Sequence, residues 1–216
     1  MRFVKALVLI AVIALAVPQM AAAADMKHSL GLSAGYFGPT GDLSTNFLVG
    51  EVEIPATIEL ASTGVVGLAY QYRFNEKFSL GASLLYGNPD FRVSSTEASG
   101  RIGNALWMPL LIDGNFHVMK NTAKVDFYLG ATVGYAMWGD FQPDQYAATI
   151  GITESYKLKS NFVYGANFGL DVPFKINWAF NTNLRYLLDK AEPDVEGAQS
   201  IDVNPWIVTV GVSYRF

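Results

Sequence analysis

The strongest constraint on the fold is the strict alternation of residue types over positions 206–216. Apolar and aromatic side chains occupy every second position of this segment, namely Trp206, Val208, Val210, Val212, Tyr214 and Phe216. The positions between them are mostly small or polar, which is the period of a β-strand with two unlike faces. A row of aromatic side chains on an exposed strand is an aggregation hazard in water, whereas a barrel wall that faces lipid requires one. The segment therefore predicts a strand of a transmembrane β-barrel.

About eight segments of the chain alternate in the same way. They cover residues 29–37, 64–74, 78–86, 106–118, 125–137, 162–172, 178–188 and 206–216. Short turns near Asn75, Lys120 and Phe174 alternate with long connections over residues 38–63, 87–105, 139–157 and 189–203. In outer-membrane barrels the short turns face the periplasm and the long loops face the outside of the cell. The predicted fold class is all-β: an eight-stranded, antiparallel, up-and-down transmembrane β-barrel with short periplasmic turns and long extracellular loops.

The composition favours a barrel over a helical membrane protein. Hydrophobic residues make up 51% of the chain and the mean hydropathy is +0.23. Yet after residue 24 no apolar stretch approaches the roughly 20 residues that a transmembrane helix needs. A soluble lipocalin-like barrel would point its apolar face inward. The face assigned here to the inside carries most of the strand charge, which excludes that alternative.

The first 24 residues have the features of a secretory signal peptide. Arg2 and Lys5 give a basic start, residues 6–17 are an unbroken apolar run, and small residues allow cleavage after Ala23 or Ala24. The apolar run is too short to serve comfortably as a membrane anchor. We therefore expect a cleaved signal peptide at 1–24 and a single barrel domain at 25–216. Loss of Arg2 and Lys5 changes the formal charge from −4 to −6, which argues against a nucleic-acid partner.

The inward-facing residues change character with depth in the predicted barrel. The outer half is predicted to hold an apolar set that would bind a small apolar ligand, here called the outer-lumen set: Leu85, Trp107, Leu111, Trp138, Val163, Leu187 and Ile207. The periplasmic half is predicted to hold paired charges that form a polar plug: Arg73, Asp113, His117, Lys124, Asp126, Asp171 and Arg215. An eight-stranded barrel has room for little beyond its own side chains or one small ligand. Two interpretations remain open, an apolar pocket closed below by charge, or apolar residues that only fill the mouth and pack against the loops.

Pro109 falls in the outer half of the fourth predicted strand. Proline lacks a backbone N–H, so within a closed barrel it leaves a gap in the hydrogen-bond ladder or forces a bulge. A bulge would only adjust the barrel curvature. A gap would be a weak point in the wall, through which an apolar molecule could leave sideways into lipid.

The sequence offers little for catalysis or metal binding. A lipid-modifying hydrolase would need a histidine near a nucleophilic serine, and the chain has two histidines, His28 and His117, both expected near the periplasmic end. We expect no catalytic residue, no metal site and no cofactor, because the chain has no cysteine and its histidines are far apart. Acidic loop residues could bind divalent cations beside lipopolysaccharide phosphates, but ordinary solvated loops are the preferred explanation.

Three segments resemble the OmpW family of outer-membrane proteins. They are the ending from Asn204-Pro205-Trp206 to Phe216, the strand Tyr128-Leu-Gly-Ala-Thr-Val-Gly-Tyr135, and the region around Pro109. The fourth strand has one proline where the family pattern has a pair, and the first loop does not align. The resemblance implies a narrow barrel of the outer membrane that passes small hydrophobic molecules inward. The terminal Phe216 also resembles the signal read by the bacterial outer-membrane assembly machinery.

The expected partners are outer-membrane lipid, lipopolysaccharide, the assembly machinery and a small apolar ligand. The alternative function is that of a structural or adhesion barrel without a transported ligand, as in OmpX- or OmpA-like proteins. An apolar outer lumen favours uptake, whereas protruding β-rich loops would favour the alternative.

Overall fold

The computed structural model describes residues 26–49, 52–95, 99–119, 124–149, 152–195 and 199–216. The predicted signal peptide at 1–24 lies outside these residues, as does the predicted turn at Lys120.

The described chain forms sixteen strands and one short helix. In chain order the elements are β1 (His28–Gly38), β2 (Asp42–Val49), β3 (Val52–Leu60), β4 (Thr63–Arg73), β5 (Phe78–Gly87), β6 (Asp90–Ser95), β7 (Ser99–Asn104), β8 (Trp107–His117), β9 (Asp126–Trp138), β10 (Gln142–Pro143), α1 (Gln145–Thr149), β11 (Leu158–Lys159), β12 (Asn161–Lys175), β13 (Trp178–Leu188), β14 (Lys190–Pro193), β15 (Ile201–Asp202) and β16 (Trp206–Arg215). Among the described residues, no helix is both long enough and apolar enough to cross a bilayer.

Eight of these strands close into an antiparallel barrel. Its order is β1-β4-β5-β8-β9-β12-β13-β16, and β16 pairs with β1 to complete the ring. These are the eight strands that the alternation predicts, and their observed bounds differ from the predicted ones by a few residues at most. The predicted fold class is thus confirmed.

The barrel has an apolar outer face and a mixed inner face. Val210 is 58% exposed on the outside of β16, while its neighbours Thr209 and Gly211 face inward. Exposed aromatic residues gather at both ends of the outer face: Phe74, Phe78, Phe116 and Trp178 at the end with the short turns, and Tyr36, Tyr86, Tyr135, Phe162 and Trp206 at the other. Aromatic side chains favour the two membrane interfaces, so the two bands mark the span of the hydrocarbon region.

The short turn between β4 and β5 is fixed by a side chain. The Asn75 carboxamide oxygen accepts hydrogen bonds from the backbone N–H groups of Lys77 and Phe78, at 2.8 Å and 3.0 Å. Asparagine stabilises such turns because its side chain can replace a backbone acceptor.

The long connections contain regular structure that the sequence analysis did not predict. Strands β10, β7, β6, β3 and β2 form a five-stranded sheet, and β11, β14 and β15 form a three-stranded sheet. Helix α1 is capped by Asp144, whose carboxylate accepts the N–H groups of Tyr146 and Ala147 at 2.9 Å and 3.1 Å. The loops therefore extend the barrel as a β-rich structure on the side opposite the short turns.

Candidate functional site

The outer-lumen set forms one buried apolar layer. All seven residues belong to the same apolar cluster, and the most exposed of them, Trp138, is 7% exposed. Trp107 and Trp138 lie directly opposite each other on β8 and β9, with ring centroids 6.5 Å apart. We call this set the apolar layer from here on.

The apolar layer continues into the core of the loops. Phe37, at the outer end of β1, packs on Trp107 with ring centroids 4.8 Å apart. The same cluster includes buried loop residues: Phe91, Ile102, Phe141, Leu158, Ile201 and Val203. The mouth of the barrel is therefore packed, and the loops cover it with apolar side chains of their own.

One carboxylate is buried at the top of the apolar layer. Asp189 follows β13, is 2% exposed, and lies one inward position beyond Leu187. Its Oδ2 accepts a hydrogen bond from Trp107 Nε1 at 2.8 Å, and its Oδ1 accepts from Asn161 Nδ2 at 3.1 Å and from the Lys190 backbone N–H at 2.7 Å. Sequence reasoning missed Asp189 because it assigned this position to a loop, although it continues the inward phase of β13.

Burial raises the pKa of the Asp189 carboxyl, and hydrogen-bond donors oppose that rise. The donors are the side chains of Trp107 and Asn161 and the Lys190 backbone. The Trp138 indole is near enough to lower this pKa as well, although it makes no hydrogen bond of good geometry. The largest contributions to the shift are burial and N–H donors, not charged groups. Within the described ranges no Lys or Arg side chain forms an ion pair with Asp189, so N–H groups alone stabilise its charge.

Below the apolar layer the lumen is crossed by ion pairs. Arg73 Nη2 lies 2.6 Å from Asp126 Oδ2, and Arg215 Nη2 lies 3.1 Å from Asp171 Oδ2. Both pairs are more than nine-tenths buried at the side chain. Opposite charges in a narrow barrel are stable when they are paired and hydrogen-bonded in this way.

A third ion pair includes a residue that the sequence analysis overlooked. Arg185 Nη2 lies 2.7 Å from Asp113 Oδ2, and Asp113 Oδ1 accepts the Thr132 hydroxyl at 2.6 Å. Arg185 has the same inward phase as Asn181 and Asn183, so the alternation of β13 was sufficient to find it. The expectation for Lys124 was wrong, since it precedes β9 and is exposed. The charged layer, as we call the observed set, consists of Arg73, Asp113, His117, Asp126, Asp171, Arg185 and Arg215.

His117 connects the charged layer to a serine on the neighbouring strand. Its Nε2 lies 2.8 Å from Ser79 Oγ, and its Nδ1 lies 2.8 Å from Asp126 Oδ2. A Ser–His–Asp arrangement supports acyl transfer in hydrolases, where the serine meets a substrate. Here Ser79 is 4% exposed, and Arg73 already holds the Asp126 carboxylate. The arrangement is therefore an internal hydrogen-bond chain. It was not predicted because Ser79 and His117 lie on different strands.

The main cavity of the lumen lies between the two layers. It has a volume of about 80 Å³ and is lined mostly by small or polar side chains of β1, β4, β5, β13 and β16, together with Asp113, Tyr128, Asn167 and Asp171. It touches the apolar layer at Leu85. A smaller cavity of about 20 Å³ follows toward the periplasmic end and shares Ser29, Gln71 and Asp171 with it. The lining of the larger cavity is thus mixed, with apolar side chains beside the carboxylates of Asp113 and Asp171.

Pro109 interrupts the pairing of β5 with β8. These strands pair at Leu84–Leu110 and again at Gly87–Trp107, but no pair joins them between these points. The register is the same on both sides, so the proline leaves a gap and not a bulge. On its other side Pro109 is buried and pairs with Ala136 of β9. The gap lies at the level of the apolar layer, beside Leu85 and Trp107.

The described residues contain no group of three His, Cys, Asp or Glu side chains placed to hold a metal ion. His28, at the start of β1, has its Nδ1 2.6 Å from the Tyr70 hydroxyl. His28 and His117 both line the smaller cavity, but they have different hydrogen-bond partners.

A closed antiparallel barrel with an apolar outer face and two aromatic bands is the architecture of a bacterial outer-membrane protein. Solved structures share it: OprG from Pseudomonas aeruginosa has a TM-score of 0.71 and 19% identity, and the match covers 87% of this chain and 95% of OprG. Residues 14–216 match the OmpW family model, and the chain belongs to the OmpW family.

Two other solved barrels of similar fold are related at low identity. AlkL, solved in DMPC lipid bilayers, has a TM-score of 0.57 and 18% identity, over 91% of this chain and 93% of AlkL. OmpW of E. coli has a TM-score of 0.50 and 19% identity, over 87% of this chain and 97% of that protein. At these identities the likeness establishes the fold. No curated protein matches the chain in sequence.

Proposed function

We propose that this outer-membrane barrel passes small apolar molecules across the outer membrane through its apolar layer. The observation that supports this most directly is the position of that layer. Seven apolar side chains from six strands meet at the outer end of the lumen, above a cavity whose wall includes the charged residues Asp113, Asp171 and Arg185. An apolar molecule would gain contact at the first level and lose it at the second.

A straight route through the barrel is unfavourable for such a molecule. It would have to cross the charged layer, where the Arg73–Asp126 and Arg185–Asp113 pairs span the lumen. Separating a buried ion pair, or leaving its groups unpaired against an apolar solute, is costly. The charged layer therefore acts as a plug in this proposal, and the apolar molecule leaves before it.

The gap at Pro109 supplies a lateral exit at the right height. It lies between β5 and β8, beside Leu85 and Trp107 of the apolar layer. A wall that lacks the N–H donor of residue 109 at that point opens at lower cost than one with a continuous ladder. The molecule would thus pass from the apolar layer into the lipid without meeting the charged layer.

Passage requires the apolar layer to part, because its side chains are packed together. A small ligand could exchange about 200 Å² of surface for contact with the layer, which is roughly 5 kcal/mol before the cost of binding is subtracted. The resulting affinity is weak, as a conduit that releases its cargo requires.

Tryptophan fluorescence in nanodiscs tests this function. Titration of the wild type with small aliphatic and aromatic solutes should give a saturable response that is absent from a Trp107→Ala, Trp138→Ala double variant. Leu187→Asp should also abolish it, because a carboxylate would then enter the layer. Val195→Asp, the same kind of change on an exposed loop residue, is the matched control. Absence of a saturable wild-type response to every solute would count against the proposal.

The second candidate function is that of a structural or adhesion barrel. The five-stranded loop sheet favours it, because it presents a large folded surface beyond the membrane. In that case the apolar layer only packs the loops onto the barrel. A protein with intact loop sheets and no saturable solute response would fit this candidate.

We also propose two partners for the chain, the assembly machinery and lipopolysaccharide. The assembly machinery would recognise the end of the last strand, where the Phe216 N–H donates to the His28 carbonyl at 2.9 Å and the two rings stack at 5.5 Å. Lipopolysaccharide would contact the outer aromatic band and the acidic loops. Replacing Phe216 by Ala should slow insertion by the assembly machinery while leaving spontaneous refolding in detergent intact.

A further inference from the structure

Two polar groups beside the apolar layer, Asp189 and Trp138, have incomplete hydrogen bonding, as does Asn161 Oδ1 next to Asp189. Asp189 Oδ2 receives a single hydrogen bond, from Trp107 Nε1, whereas Oδ1 receives two. A carboxylate accepts about four hydrogen bonds, so one lone pair of Oδ2 remains available. The Trp138 indole Nε1 is buried and makes no hydrogen bond to any of the described residues. Buried donors of this kind are rare in proteins and call for an explanation.

The two groups lie within the same small region. Trp138 is directly opposite Trp107, whose indole donates to Asp189, and the Trp138 side chain itself acts on the Asp189 carboxylate. Trp138 nevertheless does not close a hydrogen bond with Asp189. A free acceptor and a free donor therefore face the same part of the apolar layer, where apolar side chains surround them.

We propose that Asp189 and Trp138 recognise the hydroxyl group of a small apolar alcohol or phenol. This inference rests on the proposed passage of apolar molecules and names the class of molecule that the layer selects. The hydroxyl hydrogen is donated to Asp189 Oδ2, and the hydroxyl oxygen accepts the Trp138 N–H. The apolar part of the molecule packs among the remaining side chains of the layer.

Other functional groups fit this pair less well. A hydrocarbon would leave the Trp138 N–H unpaired. A carboxylate would be repelled by Asp189, and an ammonium group has no lone pair to accept from Trp138. A hydroxyl both donates and accepts through one atom, which is what the two protein groups require.

Fluorine NMR in lipid nanodiscs tests the proposal with two matched probes. 4-Fluorophenol and 4-fluorotoluene differ by a hydroxyl in place of a methyl group, and empty nanodiscs measure their partition into lipid. The wild type should bind the phenol more tightly than the toluene. Asp189→Asn and Trp138→Phe should each weaken phenol binding about tenfold, the effect of one hydrogen bond of about 1.4 kcal/mol. Toluene binding should change less than twofold.

Matched controls separate recognition from folding. Asp202→Asn changes an exposed acid near the same loops, and Trp206→Phe changes a tryptophan on the lipid face; neither should alter phenol binding. If Asp189→Asn fails to fold, Trp138→Phe still tests the donor, since phenylalanine keeps most of the apolar contact. Equal binding of both probes, or unchanged phenol binding in the variants, would overturn the hydroxyl site and leave the proposed function standing. Absence of saturable binding for both probes would overturn the proposed function and this inference with it.

Discussion

Arg185 and Asp113 lie on strands that are separated by two others, and their side chains meet across the lumen. The distance between Arg185 Nη2 and Asp113 Oδ2 is 2.7 Å. Asp113 also accepts hydrogen bonds from Thr132 and Asn167, which lie on the two strands between them. The group therefore links four neighbouring strands, β8, β9, β12 and β13, from the inside.

Arg185→Met should destabilise the barrel by about 3–5 kcal/mol, because it leaves the Asp113 charge buried without its partner. Unfolding by urea in lipid vesicles measures the loss. Adding Asp113→Leu to this variant should recover much of the stability, since the unpaired charge is then removed. Lys159→Met breaks an exposed ion pair with Glu192 and should change the stability little. A loss of stability in Arg185→Met no larger than that in this control would contradict the stabilising role of the Arg185–Asp113 ion pair.

Val210→Arg should cost about 2–4 kcal/mol in a bilayer, because Val210 faces lipid near the middle of β16. Val195→Arg places the same side chain at a loop position of similar exposure and should have little effect. The free energies of folding into vesicles compare the two variants. If Val210→Arg folds as well as the wild type, the assignment of inner and outer faces in β16 is wrong.

Pro109→Val should slow the uptake of apolar solutes severalfold. Valine restores a backbone N–H opposite Leu85, so the ladder between β5 and β8 can close. Amide exchange at position 109 should then be slow, which reports the new hydrogen bond independently of transport. Pro173→Val changes a proline near the periplasmic end of β12 and should leave uptake unaltered. Wild-type uptake by a folded Pro109→Val barrel with a protected amide would remove the case for a lateral exit there.

Asp189 should make the barrel less stable as the pH rises. Its pKa in the folded protein is raised by burial above the ordinary value of 3.8. Between these two values the folded state binds more protons than the unfolded state, so stability is lost as the pH increases through that window. Above the folded pKa the penalty is complete. From about pH 4 upward, the unfolding free energy of Asp189→Asn should therefore rise relative to that of the wild type.

Asp202→Asn serves as the reference, because Asp202 is exposed and pairs with Lys190 at the surface. Its difference from the wild type should vary little over the same pH range. A flat difference for Asp189→Asn as well would mean that the Asp189 carboxyl keeps an ordinary pKa.

The barrel wall was predictable from the sequence because its two faces meet different solvents. Lipid on one side and a crowded lumen on the other force a period of two, which is visible in strands such as β9 and β16. The apolar layer and most of the charged layer follow from that phase by counting. Arg185 obeyed the same rule and was simply overlooked between the lipid-facing Leu184 and Tyr186.

The loops and the contacts across the lumen were not predictable by the same rule. Strand β3 has apolar residues at alternate positions, with Ile54, Ile58 and Leu60 among them, but it was assigned to a loop because of its place between two barrel strands. Contacts such as Ser79–His117 and Trp107–Asp189 depend on the stagger between strands, and the sequence does not state that stagger. The prediction for Lys124 failed because this residue precedes β9, so its side chain does not enter the barrel.

The pairing of β1 with β16 bears on the order in which the strand pairs of the barrel form. Ser29 pairs with Arg215, so the barrel closes by pairing its first strand in the chain with its last. The hairpins β4–β5 and β12–β13 need only local contacts and can form early, whereas closing the longest loop comes last. Until β16 pairs with β1, the sheet has two unpaired edges and encloses no lumen. Until then the apolar outer face of the open sheet is exposed to water unless lipid or another protein covers it.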